Sequence, residues 1–124
     1  MLRRILVESR IHPAIREKLA TRHADIVDEV EAELAGNEVV VVGMAQNPHV
    51  KRARRALDEG GVAHRYLEYG SYFGQWRRRN ALKMWTGWPT FPMVFVKGTL
   101  IGGASDLERL IADGELKRML AAAA

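Results

Sequence analysis

Two short stretches of this sequence carry residue types that hold a ligand. The first is Trp88-Pro89-Thr90-Phe91-Pro92 and the second is Gly102-Gly103-Ala104-Ser105-Asp106. Proline has no N–H for a sheet ladder, so Pro92 must stand at the entrance of the apolar run Met93 to Val96, where an X-Pro bond is a candidate for cis geometry. Such a bond would turn Phe91 outward and leave its N–H and C=O free to pair with an extended peptide in antiparallel fashion. In the second stretch the paired glycines permit close backbone approach, and Ser105 reads as the N-cap of a helix whose unpaired N–H groups suit a carboxylate. Asp106 would then hold an amine. Each feature alone also reads as turn or strand punctuation. Their joint occurrence at one edge of a sheet is what points to a ligand cleft.

The reactive half of such a site is missing. The chain of 124 residues has no cysteine, which excludes a disulfide framework and thiol catalysis and leaves only carboxylates and four histidines as metal ligands. The histidines are scattered, so no metal site is expected. Lys and Arg total 19 against 15 acidic residues, a net charge of +4 that favours anionic partners. The basic residues Lys51, Arg52, Arg54, Arg55 and Arg77 to Arg79 read as solvated faces, and Trp76 and Trp85 as core, so nucleic acid is not an expected partner. No apolar run approaches the roughly 20 residues of a membrane span, and Met1 to Glu8 is too short and charged for a secretory signal. No membrane contact and a cytoplasmic location are the expectations.

The elements that must position these stretches can be read from pattern. At 48% apolar, the chain has enough core-forming residues for one domain without staples. His12-Pro13 resembles a helix start, with Ile15 and Leu19 on one face. Ile26, Val30 and Leu34 recur at helical spacing from Asp25 until Gly36-Asn37 stops them. Val39 to Val42, four β-branched residues in a row, fit a central strand buried on both sides. Asn47-Pro48 opens a helix with Val50, Ala53 and Leu57 as its apolar stripe, and Gly60-Gly61 ends it. His64 to Tyr69 reads as a second strand, followed by a helix through Trp76, Asn80, Leu82 and Trp85. Met93 to Val96 and Thr99 to Ile101 form a hairpin about Lys97-Gly98, and a helix with Leu107, Leu110 and Ile111 follows, with a last turn beyond Gly114. The order implies an α/β fold with a mixed four-stranded sheet and helices on both faces.

From about Asp25 to Leu120 this pattern resembles the glutaredoxin family, and Trp88-Pro89-Thr90-Phe91-Pro92 is especially similar to the monothiol subgroup. The resemblance implies a thioredoxin-like fold over 25–124, with 1–24 as an N-terminal helical extension outside it. It implies glutathione, or a glutathionylated or extended peptide, as ligand. The Phe91 backbone and Pro92 would pair with the cysteinyl unit, Ala104 and Ser105, with Asp106 near, would bind the γ-glutamyl end, and Thr90 and Gly103 would belong to the same binding set. Arg79 would meet the glycyl carboxylate, a role its guanidinium fork suits on physical grounds. The alternative for Arg79 is a solvated member of its run.

The departures from the family fall where its chemistry should be. Asn47 stands at the family's nucleophilic cysteine, Val50 at the second position of the dithiol form, and Met44 where the family carries a lysine. Asn47 forms no thiolate, so it neither attacks a disulfide nor supplies the ligand of a bridging iron–sulfur cluster. The expected function is a domain linked to redox homeostasis that binds glutathione or a peptide without thiol–disulfide turnover. The alternative is a non-enzymatic interaction module for a redox or iron–sulfur protein. His49, in the first turn of the same helix, would sit beside the pocket, either as a ligand group or as an ordinary exposed residue.

Overall fold

The computed structural model describes residues 1–122. Its central strand, β1 (Val39–Gly43), is buried along its whole length, and the period-two geometry of a strand sends its valines to opposite faces. Val40 and Val42 pack with Ile26 and Val30 of α2 (Ala24–Gly36) and Leu82 of α4 (Trp76–Thr86). Val39 and Val41 pack with Ala53 and Leu57 of α3 (Pro48–Glu59) and Leu107 of α5 (Ala104–Ala112). The sheet order is β2-β1-β3-β4, with β2 spanning Arg65–Glu68, β3 Met93–Val96 and β4 Thr99–Gly102. β1 is parallel to β2, and β3 is antiparallel to both β1 and β4. This is the thioredoxin-like arrangement, a mixed sheet between two helical layers, as the sequence pattern implies.

Turn chemistry closes the segments. Lys97 at φ 50° and Gly98 at φ 79° make the two-residue β3–β4 loop, whose left-handed backbone matches the twist of the flanking strands. α6 (Glu115–Ala121) follows α5 and buries Leu116 in the same layer as Leu107.

Three local expectations are corrected. The second strand runs only from Arg65 to Glu68, inside the expected His64 to Tyr69. Ser105 is not the N-cap of α5: Gly103 is, and Ser105 lies one residue inside the helix. The third is Trp76, read as core but 55% exposed at the start of α4. α1 (Pro13–Thr21) leaves its apolar face half exposed. Ile15 and Leu19 are 44% and 48% exposed, and no residue of 1–24 is buried. A 3-10 turn (Glu8–Arg10) precedes α1, and Arg3 Nη1 donates to the Thr86 carbonyl at 2.5 Å, tying the chain's start to the end of α4. Among the described residues no helix is long and apolar enough to cross a membrane.

Candidate functional site

Met44, Asn47 and Val50 stand between the end of β1 and the first turn of α3. Asn47 Oδ1 accepts the N–H of His49 at 2.9 Å and of Val50 at 3.2 Å, so the side chain is a helix cap that satisfies two orphan donors. Both Asn47 and Val50 are buried, at 8% and 2% exposure. Met44 is also buried, packed in the core layer of α2 and α4. Neither a cation nor a nucleophile stands at these three positions. An iron–sulfur cluster does not fit them: the chain offers no thiolate, and the Asn47 oxygen is already committed to backbone.

A cleft of about 230 Å³ lies beside this helix head, between the approach to β3 and the start of α5. Thr90, Phe91, Pro92, Gly103, Ala104, Ser105 and Asp106 all line it, so seven of the eight residues singled out for a ligand come together. The Phe91–Pro92 bond is cis. The ring of Phe91 does not turn outward: it is 6% exposed and packs in the core, because an aromatic ring there gains more from burial than from solvent. Phe91 still lines the cleft, and no hydrogen bond among the described residues uses its N–H or C=O. At the other wall, Asp106 Oδ2 accepts the Gly103 N–H at 2.9 Å, which braces the first turn of α5. No side chain caps that turn from outside.

Arg79 is the residue that the structure sets apart. It is 7% exposed, and its Nη1 donates to the carbonyls of Tyr69 at 2.9 Å and Gly74 at 2.5 Å. Burial pulls the guanidinium pKa below its ordinary value. The side chain holds the loop between β2 and α4 and does not line the cleft.

Three cleft-lining residues were not among those the sequence assigned to the ligand. Arg52, read from sequence as part of a solvated basic face, reaches across from α3 to α5. Its Nη2 donates to Ser105 Oγ at 2.8 Å, its Nε to Glu108 Oε1 at 3.0 Å, and its Nη1 lies 3.3 Å from His49 Nδ1. The i, i+3 spacing of His49 and Arg52 was the only local signal. His49 lines the cleft with its side chain exposed. Trp88 completes the wall, and its Nε1 is buried with no acceptor among the described residues.

A larger groove of about 650 Å³ runs between the end of α1, the start of α2 and α4. It is open and mostly apolar, with Trp76 and Met84 55% and 73% exposed. None of the residues assigned to a ligand lies in it. Its presence follows from α1 resting on the molecule without burying its own apolar face.

The geometry agrees with what is found among known proteins. A family model described as Glutaredoxin matches residues 39–101. A glutaredoxin-like protein from Dictyostelium discoideum is 53% identical over 94 residues, covering 76% of this chain and 76% of that relative. Oxidized glutaredoxin 2 from Chlamydomonas reinhardtii aligns at a TM-score of 0.67 and 26% identity, over 79% of this chain and 92% of that one. The buckwheat glutaredoxin–glutathione complex aligns at a TM-score of 0.69 and 24% identity, over 80% and 90% of the two chains, and speaks for the fold alone. The family model covers β1 to β3, all of β4 but its last residue, and the Trp88 to Pro92 wall of the cleft, and it stops before α5. The chain belongs to the glutaredoxin family.

Proposed function

We propose that this chain is a glutaredoxin-like domain that binds glutathione, or a peptide carrying it, and performs no thiol–disulfide turnover. The observation that carries the reading is the pairing of an unsatisfied Phe91 backbone with the first turn of α5 across one cleft, beside a helix head capped by Asn47. An extended ligand would pair with the Phe91 N–H and C=O, and its amino-acid end would meet Ser105 and Asp106. Within the family we assign the chain to the neighbourhood of the monothiol subgroup, on the strength of Trp88 to Pro92.

The test is a titration with reduced glutathione followed by amide chemical shifts. Shifts concentrated at Phe91, Ala104 and Ser105 are expected, while a glutathione-coupled disulfide reduction assay stays at background. Unchanged spectra at millimolar ligand would overturn the binding, and real turnover would overturn the absence of redox chemistry.

A second reading, an interaction module for a redox or iron–sulfur partner, is favoured by the exposed apolar face of α1 next to the groove of α2 and α4. Leu19→Glu and Met84→Glu would abolish capture of such a partner and leave glutathione shifts intact. Capture that survives both changes would remove this reading.

A further inference from the structure

The cleft assigned to glutathione presents one cationic side chain among the described residues, and it is Arg52. We propose that Arg52 is the residue that receives the α-carboxylate of the ligand's γ-glutamyl end, and that Glu108 occupies the guanidinium while the cleft is empty. The inference rests on the reading of this cleft as a glutathione site and adds the residue that selects its ligand.

The argument begins with the charges that a free amino-acid end carries. Such an end is a zwitterion, so a cleft that selects it needs one group of each sign within reach. Asp106 supplies the negative group at the first turn of α5. Arg79 does not supply the positive one, because its Nη1 is spent on the carbonyls of Tyr69 and Gly74 and the residue lies outside the cleft. Arg52 does lie in the cleft, and its Nη2 already rests on the Ser105 hydroxyl at 2.8 Å. A carboxylate placed against Ser105 therefore meets a planar guanidinium with parallel N–H groups, the geometry that binds carboxylates bidentately.

Glu108 makes the empty state explicable. It stands one turn beyond Ser105 on α5 and accepts from Arg52 Nε at 3.0 Å. Both partners of this pair are substantially exposed, at 39% and 45%, so water and salt screen their attraction. A ligand carboxylate inside the cleft is less screened and also gains Ser105 and the N–H groups of α5. It would draw the guanidinium fork from Glu108, whose carboxylate returns to solvent. Glu108 thus acts as an internal competitor that lowers affinity without blocking the site.

The experiment measures binding by calorimetry for the wild-type chain, Arg52→Gln and Glu108→Gln. Two ligands are compared: reduced glutathione, and 4-aminobutyryl-cysteinyl-glycine, which lacks only the γ-glutamyl α-carboxylate. Arg52→Gln is expected to weaken glutathione about tenfold or more, as loss of a charged hydrogen-bond pair does, and to leave the analogue unchanged. Glu108→Gln is expected to tighten glutathione about two- to fivefold, through release of a screened competitor. A purely structural role for Arg52 would weaken both ligands equally. Equal affinity of wild type and Arg52→Gln for glutathione, or an equal loss with both ligands, or weaker binding by Glu108→Gln, overturns this inference while the glutathione reading stands. No binding of glutathione by the wild-type chain overturns both.

Discussion

The Oδ1 of Asn47 lies 3.2 Å from the backbone N of Val50 and 2.9 Å from that of His49, so a carboxamide closes the first turn of α3. The same two N–H groups that would stabilise a thiolate are here consumed by a neutral acceptor. Replacement of a side-chain cap by alanine costs about 1 kcal/mol. Asn47→Ala is therefore expected to lower unfolding free energy by about that amount in urea, with Asn47→Ser and Asn47→Asp close to wild type. Equal stability of Asn47→Ala and wild type would show that the cap carries no weight.

Asn47→Cys tests the same position from the chemical side. A thiol at a helix N-terminus has its pKa lowered by the dipole and by the freed N–H groups. The variant is expected to take up one glutathionyl group from glutathione disulfide at neutral pH, read as an intact-mass shift, because the cleft proposed for the ligand lies beside it. A variant that alkylates with iodoacetamide yet refuses glutathione would separate thiol reactivity from ligand binding and count against the cleft.

Gly43 fixes how closely β1 approaches α3. A Cβ at this position would stand 2.7 Å and 2.9 Å from the two γ-carbons of Val50 and 3.1 Å from the Tyr66 ring. Val50 is β-branched and stiff, so it relieves the clash only by moving the first turn of α3. Gly43→Ala is expected to cost about 1–3 kcal/mol, the usual range for overpacking. Adding Val50→Ala should restore part of that loss, a coupling that a double-mutant cycle in urea would measure. Additive losses in the two single variants would show that the contact does not limit the packing.

The fold was legible because its signals are local. Val39 to Val42, Asn47-Pro48 and Lys97-Gly98 each declare a conformation through branching, a missing N–H or a turn preference, and the structure follows them. The walls of the cleft were legible for the same reason, since prolines and paired glycines mark them. What sequence did not disclose was the aim of long side chains. Arg79 turns inward because the Gly70 and Gln75 backbones, both at positive φ, loop the Tyr69 and Gly74 carbonyls over it. Arg52 turns toward the cleft because α5 happens to bring Ser105 and Glu108 beside α3, a contact between residues more than fifty positions apart. Arg79 thus braces a loop and Arg52 lies against α5 at the cleft, and only the packing of the helices reveals either. Trp76 shows the opposite error, since it was read as core and is 55% exposed.

The burial of Arg79 predicts a loss of stability. Arg79 is buried and its two acceptors are backbone carbonyls with no other donor to replace it, so Arg79→Met leaves both unpaired. The expected loss is about 2–4 kcal/mol, with fast amide exchange through the loop from Tyr69 to Gln75. Glutathione affinity of the protein that remains folded should be nearly unchanged. A large loss of affinity with little loss of stability would return Arg79 to the ligand.

Tyr69 gives the fold a dependence on alkaline pH. Its ring is buried and its hydroxyl donates to Glu29 Oε2 at 3.4 Å, with Arg78 stacked over the ring at 5.6 Å. Burial first, and then the charge of Glu29, push its pKa from 10.0 to about 12. Tyr66 is pushed the same way by burial and by Glu68, which accepts its hydroxyl at 3.0 Å. The sign follows from which state loses its proton first. Below pH 10.0 both states keep the phenol protonated and the contribution is constant; above it the unfolded chain ionises while the folded one does not, so stability falls until about pH 12, where the folded phenol ionises too. Urea midpoints should therefore be level from about pH 8 to pH 10 and then decline. Tyr69→Phe should decline less steeply over that window, because one of the two delayed phenols is gone. A variant whose midpoints fall in parallel with wild type from pH 10 to pH 12 would show that Tyr69 ionises equally in both states.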